Sequence, residues 1–274
     1  MNLNELRTFL AIVETGSLAR AAGRLNVTQS TVTARLQSLE AELGQRLLNR
    51  HKSGVTLTGP GERFRRTAHT ISDLWRQAKQ ETALPGPTEA VCNIGSHPDL
   101  WTGLGAKLFE AIRATQPNVA LSVWHGGQRD LDHWMTTGLI DLAFTFWPVD
   151  VTGCETFELP KDRLILVATE PNTPSRFTPG YVLVEHGQAF ARAHAAAYAD
   201  ADTARISFGS SALALDHILA HGGSAYLPER LVARGIAADR LFPVPAAPIF
   251  DRRASMLVRT SARATWPWFD ALKP

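Results

Sequence analysis

The stretch NVTQSTVTARLQSLEAELG, residues 26–44, decides the reading of this chain. Val32, Leu36, Leu39 and Leu43 recur at i, i+4, i+7 and i+11, which makes one narrow apolar stripe on a helix of 3.6 residues per turn. Thr28 stands where an N-cap hydroxyl accepts a hydrogen bond from an unpaired amide of the first turn, and Gly44 supplies a stop. Opposite the stripe lie Ser30, Thr33, Ala34 and Gln37, with Gln29 in the first turn and Arg35 on the flank. A merely solvated face more often carries Glu and Lys pairs, as the far end of the same helix does with Glu40 and Glu42. Gln can pair bidentately with adenine, Arg with guanine, and Ser or Thr with either, while small side chains let a helix sit deep in the major groove. The plainer reading of the stretch alone is a capped amphipathic helix.

The neighbouring residues favour base reading. LNELRTFLAIVETGS (3–17) places Leu6, Phe9, Leu10 and Val13 on one stripe, and SLARAAGRL (17–25) is a short Ala-rich helix opened by Ser17. Two short helices joined only by Asn-Val-Thr form a helix-turn-helix, whose second helix enters the major groove. In LLNRHKSGVTLTGPGE (47–62), Arg50, His51 and Lys52 precede Ser53-Gly54 and the alternating Val55, Thr56 and Leu57, the pattern of a β-hairpin wing with a cationic edge for phosphate or the minor groove. The candidate DNA contacts are therefore Thr28, Gln29, Ser30, Thr33, Arg35 and Gln37 on the helix and Arg50, His51 and Lys52 on the wing.

The run FLAIVETGSLARAAGRLNVTQSTVTARLQSLEAELGQRLLNR (9–50), with LTGPGE (57–62) after it, resembles the LysR-type transcriptional regulators. Two departures are visible. LLNR stands where the family usually has Leu-Phe-x-Arg, and Gly59-Pro60 stands where Pro-Ala is common before the glycine; neither touches the reading face.

Charge divides the chain in the same way. Residues 1–81 hold 12 Lys+Arg against 7 Asp+Glu, and residues 82–274 hold 16 against 19. The positive excess thus sits with the helix-turn-helix, as attraction to phosphate requires. A chain of 274 residues is long enough for two or three domains. No signal-peptide pattern is seen, and apolar runs such as LILVA (164–168) are far too short to span a bilayer, so a cytoplasmic protein with no membrane contact is expected. Two cysteines argue against a disulfide framework.

From Pro60 to Glu81 the pattern returns to a long helix with Phe64, Ala68, Ile71, Leu74, Trp75 and Ala78 on its apolar side. The resemblance implies an antiparallel dimerisation arm; packing on its own domain is the alternative. A dimer has a direct use, since two reading helices spaced by a helical turn match a pseudo-palindromic site. TALPGPTEA (82–90) then breaks the helix. The expected division is a winged helix-turn-helix at 1–58, a linker helix at 59–82, a hinge at 83–90 and an effector-binding domain at 91–274. Its lobe I spans about 91–160 plus 262–274, and its lobe II about 161–261.

The remainder alternates strands and helices, which predicts an α/β fold with largely parallel sheets. AVCNIGS, VALSVWHG, DLAFTF, DRLILVATE, YVLVEHG, ARISFGS and SAYLPERLV read as strand segments, with helical patterns between them. The order resembles the family's effector domain, two-lobed like the periplasmic binding proteins, and DLAFTFWP and GGSAYLPERL are its clearest marks. The resemblance implies a small-molecule effector between the lobes, no cofactor, a homodimer or homotetramer, and RNA polymerase as a further partner. In open α/β sheets ligands lie beyond the carboxyl ends of the strands, near helix N-termini. That rule selects Ser96, His97, Thr145, Phe146, Glu185, His186, Ser210 and Ser211, with Trp101 and Trp147 as apolar lining. For each, the alternative is a cap, loop or core residue.

Other constellations are weaker. His217 and His221 beside Asp216 have a zinc-compatible spacing but no second ligand pair, so no metal is expected. Cys92 falls in the first strand and Cys154 in a loop after the third; an oxidant-sensing pair is conceivable, and a buried strand thiol is the commoner case. No Walker loop, Gly-x-Ser-x-Gly elbow or His-Glu-x-x-His occurs. The leading reading is an effector-responsive, sequence-specific DNA-binding regulator. An architectural DNA-binding protein without effector is one alternative; an enzyme fused to a DNA-binding module is another, disfavoured because no acid, base or nucleophile motif is present.

Overall fold

The computed structural model describes residues 2–51, 54–84, 86, 88–146, 151–175, 180–199 and 204–272. Two compact units result, residues 1–85 and 86–274. The fold is mixed α/β, with the helix-turn-helix in the first unit and two sheets in the second.

In the first unit, α1 (Leu3–Thr15) opens with a capping box between Asn2 and Glu5 and ends at Gly16. Helix α2 (Leu18–Leu25) is capped by Ser17 and closed by Asn26, and α3 (Gln29–Leu43) is capped by Thr28 and closed by Gly44. Val32, Leu36 and Leu39 are buried against Leu6, Phe9 and Ile12, each worth about 1.5–3 kcal/mol of transfer free energy. Leu43, in the last turn of α3, departs from the expected stripe and is 40% exposed. Strands β1 (Leu48–His51) and β2 (Gly54–Leu57) pair antiparallel, Leu48 facing Leu57. The Val55 amide donates to the Gly16 carbonyl at 3.1 Å, which ties the hairpin to the end of α1.

Helix α4 (Gly59–Thr82) starts at Thr58, whose hydroxyl accepts from the Gly61 amide at 3.0 Å and donates to the Arg46 carbonyl at 2.7 Å. A Cβ on Gly61 would lie 2.0 Å from the Leu47 carbonyl oxygen, so only glycine lets the helix start this close to the wing. Ala68 is fully buried in the domain core, Phe64 and Ile71 pack against that core, and the Phe64 and Phe9 rings are 5.2 Å apart. For this part of the stripe the structure shows the alternative, packing on its own domain. Phe64 and Ile71 are half-buried there and Ala68 fully so, whereas Leu74, Trp75 and Ala78 are exposed.

The second unit contains two sheets. Strands β3 (Ala90–Ser96), β4 (Val119–His125) and β5 (Leu142–Thr145) are parallel, with α5 (Ala106–Thr115) and α6 (Gln128–Thr137) between them in the chain. Strand β6 (Cys154–Glu158) then leads into the second sheet, which holds β7 (Asp162–Ala168), β8 (Tyr181–Val184), β9 (Ile206–Phe208), β10 (Ser224–Pro228) and β11 (Phe242–Pro243). Helices α7 (Gln188–Ala197), α8 (Ser211–His221) and α9 (Glu229–Ala237) belong to this lobe. Strand β12 (Phe250–Arg252) pairs antiparallel with β7, and β13 (Ser255–Arg259) returns to the first sheet between β5 and β6.

Three sequence expectations change here. The chain re-enters lobe I at Ser255 rather than at 262, because β13, buried from Ser255 to Val258, stands between β5 and β6. Each sheet is parallel on one side only, β4-β3-β5 in the first and β10-β8-β9 in the second, and antiparallel where β13 and β7 pair with their neighbours. Cys154 begins β6 rather than sitting in a loop. Trp266 and Phe269 complete the lobe I core around Ile94, Phe144 and Met256. No helix among the described residues is long and apolar enough to cross a membrane.

Candidate nucleic-acid face and effector cleft

On α3, Thr28, Gln29, Ser30 and Gln37 are exposed, and Thr33 and Arg35 are half-buried. The buried Val32, Leu36 and Leu39 fix the rotation of the helix, so this polar set faces outward as one surface. The Thr28 hydroxyl is engaged at the cap, accepting from the Thr31 amide at 3.2 Å and lying 2.9 Å from the Ser30 hydroxyl. Ser38 donates to Glu5 at 2.7 Å, which joins α3 to the first turn of α1. The Asn2 backbone and the Ser38 hydroxyl together hold the Glu5 carboxyl below its ordinary range.

Glu40, expected to be solvated, instead accepts from the amides of Leu47 and Leu48 at 2.7 and 3.2 Å. The carboxylate therefore sets the start of the wing relative to the reading helix. Arg50 and His51 are exposed on β1, with His51 Nε2 3.2 Å from the Thr56 hydroxyl; Lys52 lies outside the described residues.

Between the lobes lies a cavity of about 750 Å³. His97 and Phe146 line it from lobe I, Glu185, His186 and Phe190 from the β8–α7 segment, and Phe250, Arg252 and Arg253 from β12 and the residue after it. Four of the sequence-selected residues, His97, Phe146, Glu185 and His186, are thus brought together. The His97 and Phe146 rings meet edge to face at 4.9 Å, and the Arg252 guanidinium lies 3.9 Å over the Phe146 ring.

The other selected positions do not line the cavity. Ser96 is buried and donates to the His97 carbonyl at 2.9 Å; Thr145 is buried opposite Ser255 in the ladder. Trp101 packs on Phe109 and His125 in lobe I. Ser210 is the N-cap residue of α8, and Ser211 is fully buried behind it. Trp147 lies outside the described residues.

Beneath the cavity is a charged junction that no local pattern announced. Asp162, wholly buried at its side chain, pairs with both Arg230 and Arg252, and Arg252 Nη2 also reaches Asp99 Oδ2 at 3.2 Å. Arg230 Nε donates to the Thr102 carbonyl at 3.0 Å, and its guanidinium also donates to the Asp99 carbonyl. Gly103, at φ +82°, keeps the backbone clear of the Arg230 stem, 3.2 Å from where a Cβ would stand. His186 Nε2 meets the Tyr226 carbonyl at 2.8 Å; a carbonyl only accepts, so this nitrogen carries a hydrogen, while Nδ1 stands 3.2 Å from Arg252 Nη1 and 3.6 Å from Asp99 Oδ2.

Burial pushes the His97 imidazole down to about 4, with the Arg252 and Arg230 charges acting the same way against Asp99, so it is neutral at pH 7. Burial alone would raise the Asp99 carboxyl, but the His186 ring and the Arg252 charge outweigh it and hold the group well below the usual carboxylate range. Burial lowers Arg252 to about 10, still a cation at neutral pH. It also pushes the Cys92 thiol far up, which disfavours the thiolate that oxidant sensing needs.

Comparison with known proteins agrees with both halves. Residues 3–62 match the family described as bacterial regulatory helix-turn-helix protein, lysR family, and residues 86–272 match the LysR substrate binding domain. The chain is 30% identical over 178 residues to the HTH-type transcriptional regulator YofA of Bacillus subtilis (strain 168), covering 63% of this chain and 61% of YofA. It is 26% identical over 240 residues to HdfR of Yersinia enterocolitica, covering 84% of this chain and 82% of HdfR. The fold matches the crystal structure of CbnR, a LysR family transcriptional regulator, with a TM-score of 0.69 at 21% identity over 94% of this chain and 93% of CbnR. A structure of full-length CbnR complexed with its target DNA matches with a TM-score of 0.68. The chain belongs to the LysR family.

Proposed function

We propose that the protein is a sequence-specific DNA-binding transcriptional regulator whose DNA affinity or geometry responds to a small molecule held in the cleft between the two lobes. The observation that carries the reading is the exposed polar face of α3, backed by a buried apolar stripe and flanked by a wing that Glu40 fixes in place. Gln29, Ser30, Thr33, Arg35 and Gln37 read base edges; Arg50, His51 and Lys52 meet the phosphate backbone. Thr28 contributes as the cap that positions the first turn.

The protein works as a homodimer or homotetramer, with Leu74, Trp75 and Ala78 of α4 in the pairing surface, in the cytoplasm and with RNA polymerase as a further partner. It is a regulator rather than an enzyme. The effector lies against His97, Phe146, Glu185, His186 and Phe190, and its binding shifts the packing of the lobes.

The test is a footprint of the purified protein on the DNA flanking its own gene, with and without candidate metabolites. Protection over several helical turns with two-fold symmetry supports the reading, and a metabolite that alters the pattern identifies the effector class. Weak, uniform protection that moderate salt abolishes would overturn specific recognition.

A further inference from the structure

Asp99 belongs to neither sheet. It is the middle residue of the helical turn Pro98–Leu100 that follows β3, in lobe I, yet its nearly buried side chain faces groups outside that lobe. The Ser211 amide, in the first turn of α8, donates to Oδ1 at 3.4 Å; Arg252 Nη2 donates to Oδ2 at 3.2 Å; and His186 Nδ1 stands 3.6 Å from Oδ2. First-turn amides have no partner within their helix and carry its partial positive charge. Ser210 makes no side-chain cap, and the Ser211 hydroxyl, fully buried, has no hydrogen-bond partner among the described residues. The amide of Ser211, whose own buried hydroxyl is spare, and the Arg252 guanidinium together make a receptor for an anion, and the anion in it is the chain's own carboxylate.

The charge count points the same way. Asp99 and Asp162 face Arg230 and Arg252, two carboxylates against two guanidinium groups. A further anion entering this junction would be desolvated without a free cation to meet it, whereas removing Asp99 would leave one positive charge in excess.

We propose that Asp99 is a built-in ligand and a specificity-determining residue: its carboxylate fills the anion position at the start of α8, bridges the lobes without any bound molecule, and excludes free carboxylates and phosphate. The inference rests on the effector reading only for its regulatory meaning, namely that the effector is selected in the adjoining cavity rather than as an anion at α8.

The test uses the full chain and acetate as the probe, so it needs neither DNA nor effector, and its failure leaves the footprint result untouched. Thermal unfolding of the wild type, Asp99→Ala and Asp99→Ser is followed in sodium acetate against sodium chloride at matched ionic strength. Asp99→Ser is the second variant because its hydroxyl can still accept from the α8 start if alanine does not fold. Expected is a melting temperature lowered in both variants, and a saturable recovery in acetate that exceeds any wild-type gain by about 3 °C or more at 100 mM. Equal acetate effects on wild type and variants, or no recovery in a folded variant, would overturn the proposal.

Discussion

Asp162 and Arg252 are Cα partners in the ladder between β7 and β12, and Arg252 Nε donates to Asp162 Oδ2 at 3.0 Å. The pair stands where the chain passes between lobes. Strand β6 ends at Glu158 just before Asp162, and β13 begins at Ser255 just after Arg252. One ion pair therefore fastens both crossings, and the Asp99 contact extends it to the turn after β3. The cavity is built on this fixed base, which explains why its walls come from both lobes and from β12.

Replacing Arg252 by alanine should destabilise the second unit by about 3 kcal/mol, the lower end for breaking a buried pair, because Arg230 still meets Asp162. Urea unfolding measures it. A loss below about 1 kcal/mol would mean that the junction is solvated in solution and the pair is worth no more than a surface bridge.

The depressed imidazole of His97 predicts an acid-side loss of stability. Its folded value is about 4 against 6.5 for the free group, so between pH 6.5 and 4 the unfolded chain takes up a proton that the folded chain refuses. Stability therefore falls as pH drops through that window, by up to about 1.4 kcal/mol per unit at its steepest. His194, lowered by burial, adds to the slope. His97→Gln should flatten the dependence without removing it, and identical slopes in the two proteins would disprove the assignment.

Glu40→Ala strands the amides of Leu47 and Leu48, both buried residues, at about 1–3 kcal/mol for the pair. Hydrogen exchange at those amides should accelerate by roughly tenfold or more, and specific DNA affinity should fall although Glu40 is not placed on the reading face. Glu40→Gln retains an acceptor and should lie between. Unchanged exchange in the alanine variant would show that another group holds the wing.

Much of the first unit is legible in the sequence because its signals are local: caps at Ser17 and Thr28, the stop at Gly44, and an apolar period within each helix. The cleft is only half legible. His97, Phe146, Glu185 and His186 follow strands and obey the strand-end rule, but Phe250 and Arg252 belong to a short crossing strand, with Arg253 just after it, that has no periodicity to mark it. Asp99 and Arg252 are 153 residues apart, and nothing in either neighbourhood signals the other. Likewise Glu40 looks like surface charge until the wing folds back onto it.

The split role of α4 makes a paired prediction. Trp75→Ala and Leu74→Glu change exposed positions, so they should lower self-association with little loss of monomer stability. Ile71→Ala touches the domain core and should cost roughly 2 kcal/mol in folding instead. Sedimentation at several concentrations, with thermal unfolding alongside, separates the two. An undiminished oligomer in Trp75→Ala/Leu74→Glu would place the pairing surface elsewhere.

The reading face and the wing should fail in different ways. Gln29→Ala and Arg35→Ala should lower affinity for the specific site by about 1–3 kcal/mol and relax preference at particular base pairs, because a base contact carries sequence information. Arg50→Ala, on the exposed edge of β1, should weaken all sequences alike and reduce the dependence on salt by about one counterion. Binding measured on the specific site and on random duplex, across a salt series, distinguishes them. If all three substitutions weaken every duplex equally, α3 holds phosphate rather than bases, and the orientation of the helix in the groove must be redrawn.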